Sequence, residues 1–239
     1  MPDFLVNSQI FSKFNKPDKN LMNKIFQFLD ELRLNNNREW FTLHKSLYEE
    51  AKNEADIIFE DVYNELSAIE VLQPLKRYRI YRDVRFSKDK TPYKTHFSAY
   101  TGRNKPTNRG GFYMHVEKGN CFIGAGFWAP EKDDLLRIRQ SIAGSDRLEE
   151  ILNNKQLVKN FGHLFGEELK TAPKGFPKDH PRIELLRKKQ FLLIKKFSDE
   201  AVLSTEFPLE VAKVYEILIP FYDYMTEVLT LNENGEFIL

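Results

Sequence analysis

The residues best equipped for chemistry stand in one word, RDVRFSKDKTPYKTH, at positions 82–96. It sets Arg82, Arg85, Lys88, Lys90 and Lys94 against two acids, Asp83 and Asp89, with Phe86 and Tyr93 among them. Guanidinium groups grip phosphate or carboxylate through paired planar hydrogen bonds, and ammonium groups add point charge. This spacing therefore points to a site for an anionic, possibly phosphorylated, ligand held by Arg82, Arg85, Lys88, Lys90, Tyr93 and Lys94. Asp83 and His96 are the candidates for moving a proton there. A bland alternative stands beside it: Asp83 and Asp89 neutralise neighbouring cations, Phe86 and Tyr93 pack inward, and the lysines face water.

The 239-residue chain has a net charge of +1, so its overall balance argues for no particular partner. Its distribution is more telling. Ten Lys and Arg stand against two Asp over residues 76–105, a local +8 that leaves −7 elsewhere. Such concentration focuses a field on one region. Other catalytic signatures are missing: no phosphate-binding glycine loop, no dinucleotide fingerprint, no serine elbow and no paired-histidine zinc helix occurs. The five histidines are isolated in sequence, so no metal set is assigned, although separation in sequence does not forbid one in space. No cofactor is implied. The single cysteine, Cys121, excludes an intrachain disulfide and sits among apolar neighbours as a buried thiol. No apolar run reaches the length of a membrane span, and the opening residues do not read as a secretory signal, so a cytoplasmic protein is expected.

The elements that must position these residues follow from periodicity. Residues 1–20 read as an irregular lead-in, and residues 21–239 as one domain. Leu21, Ile25, Phe28, Leu29 and Leu32 fall on one helical face over residues 21–34. Asn36 and Glu39 have the spacing of a capping box, which predicts a second, long helix from there through Trp40 and Phe41 towards Leu66. Arg38 and His44 lie in its first turns, where a helix favours anions. The expectation is that this helix start faces the basic word and that Arg38 and His44 join the ligand site. Alternation predicts strands over residues 76–83, 95–102, 112–117 and 121–128, the last two joined at Gly119-Asn120. Gly124 and Gly126 on one strand face imply a bulge or the close approach of another element. Helices follow Pro130 and near residues 147–152, then a basic loop with Lys174, Lys178 and His180, a short helix after Arg182, and a strand over residues 191–197. A helical stripe runs over residues 208–231, with a kink expected at Pro220. Helix, antiparallel strands, then helix is the order of an α+β domain: an antiparallel sheet with an N-terminal helical hairpin and a long C-terminal helix.

Five segments carry a resemblance: NNNREWFTLHKSLYE, RDVRFSKDKTPYKTHFSAY, GGFYMHVEKGNCFIGAGFWAP, DLLRIRQSI and APKGFPKDHPRIELLRKKQF. Together they resemble the uncharacterised bacterial and fungal family called domain of unknown function 2461, over about residues 21–229. The resemblance implies a single soluble α+β domain and no reaction, cofactor or mechanism. Three functions stay open: an enzyme on a small anionic substrate, a nucleic-acid or polyanion module, and a protein-interaction scaffold without catalysis.

Overall fold

Residues 24–232 and 234–238 are described in the computed structural model of the chain; the expected lead-in at 1–20 and the first three residues of the predicted helix lie outside them. Apolar residues three and four apart build α1 (Lys24–Leu34), which buries Ile25, Phe28, Leu29 and Leu32. The next helix starts one residue later than the capping-box spacing implies. Asn37 is the N-cap of α2 (Arg38–Leu43), accepting from the Trp40 amide at 2.9 Å. The predicted long arm is also broken. His44, at φ −108° and ψ 24°, separates α2 from α3 (Lys45–Ile69). Its Nδ1–H donates at 2.8 Å to the Trp40 carbonyl, which also accepts the His44 amide at 3.0 Å, and its ring stacks on Trp40 at 4.3 Å.

The sheet is an antiparallel meander of β1 (Lys76–Arg77), β2 (Phe97–Gly102), β3 (Gly111–Val116), β4 (Cys121–Phe127) and β5 (Phe191–Phe197), in sequence order. The strand expected over residues 76–83 leaves the ladder after two residues. Tyr78 still donates to the Ser98 carbonyl, but then the Ile80 carbonyl takes the Lys94 amide (2.8 Å) and the Arg82 amide donates to the Pro92 carbonyl (2.9 Å). The segment thus peels away to pair with the returning arm of its own loop.

Because strand side chains alternate, one sheet face buries Phe97, Ala99, Phe112, Met114, Val116, Ile123, Ala125 and Leu193. Helix α3 and the C-terminal α9 (Phe207–Thr230) form the helical side of the same continuous core. Pro220 lies within α9 without ending it. The glycine expectation is met at Gly126, where φ is +122° and a Cβ would stand 2.1 Å from the Phe191 carbonyl oxygen; only glycine lets β5 approach so closely. Between β4 and β5 lie α4 (Lys132–Gly144), α5 (Arg147–Leu152), α6 (Lys155–Phe161) and α7 (Ile183–Leu186), and α8 (Asp199–Val202) precedes α9. Cys121 is buried, and burial pushes its thiol up to about 12.

A buried ion pair fixes the entry to β3. Arg103 is 4 % exposed and donates Nε to both Glu70 oxygens at 2.8 Å, reaching Asp223 at 3.1 Å and the Thr226 hydroxyl at 3.2 Å. Its guanidinium lies 4.9 Å from the centre of the Tyr222 ring. Glu70 also accepts from Asn108 and the Tyr215 hydroxyl. This network ties the end of α3 to α9 and to the 103–110 loop.

Candidate functional site

The basic word forms the loop between β1 and β2, closed at its base by the Tyr81–Tyr93 bridge. Two side chains hold that base against the helical hairpin. Asn36 donates Nδ2–H to the Tyr93 carbonyl (3.0 Å) and accepts the Tyr93 amide (3.1 Å), completing both backbone bonds of one residue. Phe41 stacks on the buried Tyr93 ring at 4.0 Å. Burial raises the Tyr93 phenol, and the Arg38 charge partly offsets this, so the first turn of α2 lies in electrostatic reach of the loop. His44 is committed to Trp40 instead.

Beyond the base, the loop answers its own charge. Asp83 takes Arg85 as a two-pronged pair, Nε at 2.9 Å and Nη2 at 2.6 Å, which holds the carboxyl below its usual range. Asp89 takes Arg82, and with the Thr91 amide and hydroxyl this lowers its pKa to about 2. Lys90 donates to the Val84 carbonyl at 2.9 Å. A ligand gripped by Arg82 and Arg85 would therefore compete with two carboxylates already in place. Phe86 is 97 % exposed. The second basic loop packs elsewhere: His180 and Arg182 bond the carbonyls at the end of α4.

Lys94 and His96 turn away from this pairing and meet the sheet. On the face opposite the helices stand Ser98 and Tyr100 of β2, Tyr113 and His115 of β3, and Phe122 and Gly124 of β4. The register sets Ser98 opposite His115 and Phe97 opposite Val116, which brings His96 beside Glu117. The His96 and His115 rings lie 4.1 Å apart, and Phe122 stacks on the other side of His115 at 4.5 Å. Glu117 accepts from the Thr95 hydroxyl and the Asn120 amide at 2.9 Å each, with His115 Nε2 at 3.2 Å. The Tyr113 hydroxyl meets His115 Nδ1 at 3.2 Å. Burial, then the His115 and Lys94 charges, lower His96 to about 4, and burial likewise lowers His115. Burial thus disfavours the charged form of both rings, while hydrogen bonds from Asn120, Thr95 and His115 hold the Glu117 carboxyl below its usual range despite its burial.

Lys94 stands at the border of this face, 5.5 Å from the Tyr78 ring centre, and its pKa is lowered by burial and by Arg79. Among the described residues neither Lys94 nor Arg79 has a carboxylate within ion-pair distance. A groove of about 220 Å³ opens alongside, between α3 and the β1–β2 edge, lined by Lys52, Arg77, Arg79, Tyr48 and Ser98 together with Asp56.

The sequence reading thus named Lys94 and His96 but not Arg79, His115 or Glu117. The signal for the last two was the alternation of β3, which sets Tyr113, His115 and Glu117 on one face. Joining them to His96 needed the strand register.

Among the described residues no helix is long and apolar enough to cross a membrane. Comparison with curated proteins and with solved structures finds no match. The family model of the conserved hypothetical proteins DUF2461 matches residues 24–224, nearly the whole chain, and this protein belongs to that family.

Proposed function

We propose that this protein binds a small anionic ligand at the border of the open sheet face, with Lys94 and Arg79 as the charged contacts and Ser98, Tyr113 and His96 beside them. One observation carries the reading. Lys94 is half-buried, next to a second cation and two imidazoles, and has no carboxylate partner among the described residues. A partly desolvated ammonium in that setting is costly until an anion joins it. Arg82 and Arg85 then act as a paired, ordered frame whose charge is internally offset, with Lys88 and Lys90 adding field at the rim. The adjoining groove, which Arg79 and Ser98 line but Lys94 does not, is smaller than the roughly 300 Å³ lower bound of drug-sized sites, so any part of the ligand entering it is of phosphate or short carboxylate size.

The test is titration of inorganic phosphate into the chelator-treated protein, followed residue by residue by amide NMR shifts. Shifts should centre on Arg79, Lys94 and Ser98, and the affinity they report should fall at least about tenfold in Lys94→Gln, the equivalent of losing a charged hydrogen bond. Shifts centred on Arg82 and Arg85, or none at millimolar phosphate, would reject the reading.

A second reading rests on Phe86, a fully exposed aromatic flanked by Arg85 and Lys88 at the loop tip. Aromatic rings stack on bases while cations meet phosphates, so this tip suits a single-stranded polyanion. It requires binding to a mixed-sequence oligonucleotide that weakens steeply with salt and is lost in Phe86→Ala. Salt-independent or absent binding removes it.

A further inference from the structure

The open sheet face also brings together three donor atoms, of which the anion reading uses only His96, and that as a neighbour. We propose that His96, His115 and Glu117 form a binding site for a divalent transition-metal ion of the zinc type. Their ligand atoms all lie within 4.8 Å of one another. Two donors bound to one such ion at about 2.1 Å stand roughly 3–3.5 Å apart. His115 Nε2 and the Glu117 oxygen, at 3.2 Å, already have that separation. The His96 ring, its centre 4.1 Å from that of His115, supplies the third donor within 4.8 Å of both.

The surroundings match what a metal centre needs. Ligating imidazoles donate their second N–H to a fixed partner, and ligating carboxylates are themselves hydrogen-bonded. His115 has such a partner in the Tyr113 hydroxyl, at Nδ1. With Nδ1–H donating there, the Nε2 lone pair is free to face an ion beside Glu117. Without the ion, Nε2–H donates to Glu117 and Nδ1 accepts from Tyr113, so binding exchanges one tautomer for the other with no backbone movement. Thr95 and Asn120 hold the carboxylate from its other sides. Phe122 closes one face of the His115 ring.

Two imidazoles and a carboxylate suit zinc and the other first-row divalent ions better than magnesium or calcium, which prefer oxygen sets. Three protein donors leave a coordination position open, the arrangement of an ion that polarises a bound water or ligand. Lys94 opposes the ion's charge, and an anion spanning both would offset this. The inference shares a face with the anion reading but does not depend on it, because each is tested with its own probe.

The test uses the untagged, chelator-treated full chain titrated with zinc chloride alone by calorimetry. One ion per chain is expected, with affinity falling at least tenfold in Glu117→Gln and in His96→Ala. In the unaltered protein, the ring proton signals of His96 and His115 should move on zinc addition while those of His44, His163 and His180 stay. That second measurement decides the matter if a variant fails to fold. Absence of zinc binding, unchanged affinity in folded variants, or shifts at the other three histidines would overturn the proposal. If zinc binds as described and phosphate does not, the metal inference stands and the anion reading falls.

Discussion

Replacing Arg103 with Ala should be among the most damaging single changes in this chain. Its side chain is 5 % exposed, and Glu70, its main partner, is 12 % exposed. Truncation deletes the Nε bonds to both Glu70 oxygens, the Asp223 and Thr226 contacts and the stacking on Tyr222. What remains is a carboxylate held only by Asn108 and the Tyr215 hydroxyl, with no cation beside it. Breaking a buried pair from one side costs about 3–5 kcal/mol, because the surviving charge stays desolvated. For a domain of this length each kcal/mol corresponds to about 2–4 °C, so thermal unfolding should fall by roughly 6–20 °C. Denaturant melts of Arg103→Met, Glu70→Gln and the two together, beside Arg103→Ala, would measure the coupling. The pair should recover most of the loss, since it leaves no uncompensated charge. A cost for Arg103→Ala below about 1 kcal/mol, the level of an exposed ion pair, would refute the reasoning.

Asn36→Ala should cost about 1–3 kcal/mol by orphaning the Tyr93 amide and carbonyl, and limited proteolysis within residues 82–92 should accelerate. Gly126→Ala should cost more than about 2 kcal/mol, since its new methyl meets the Phe191 carbonyl at a φ of +122°; a melt within 0.5 kcal/mol of the parent would contradict the close β4–β5 approach. Asp89 has a folded pKa depressed to about 2 from 3.8. Its contribution is therefore present above about pH 4 and lost as the pH falls towards 2. Carboxyl NMR should place its midpoint below those of exposed aspartates without a cation partner, and Arg82→Gln should raise it part of the way, since the Thr91 amide and hydroxyl still hold the carboxylate.

Much of the architecture was legible in the order of residues. The apolar stripe of Val211, Val214, Leu218, Tyr222 and Met225 specified α9, and the alternation of Phe112, Met114 and Val116 against Tyr113 and His115 specified β3. Both are periodicities of single elements, which a chain displays without knowing its neighbours. The same holds for the loop character of RDVRFSKDKTPYKTH and the buried state of Cys121. Where reading failed, a side chain had two possible partners. Asn36 had cap spacing but bonds Tyr93, 57 residues away, and leaves the cap to Asn37. His44 fitted a helix pattern but leaves helical angles between α2 and α3, with its ring bonded to the Trp40 carbonyl.

What the sequence alone determined was the set of elements and the segment in which positive charge is concentrated. Only the tertiary structure decided what that charge faces. Arg82 and Arg85 found their own aspartates within the loop, an outcome set by how the loop folds back rather than by its composition. Strand register, a property of two chains of residues aligned across hydrogen bonds, carried His96 to His115 and Glu117 from about twenty positions away. Composition counts charges and donors; pairing in space determines which of them are already spent.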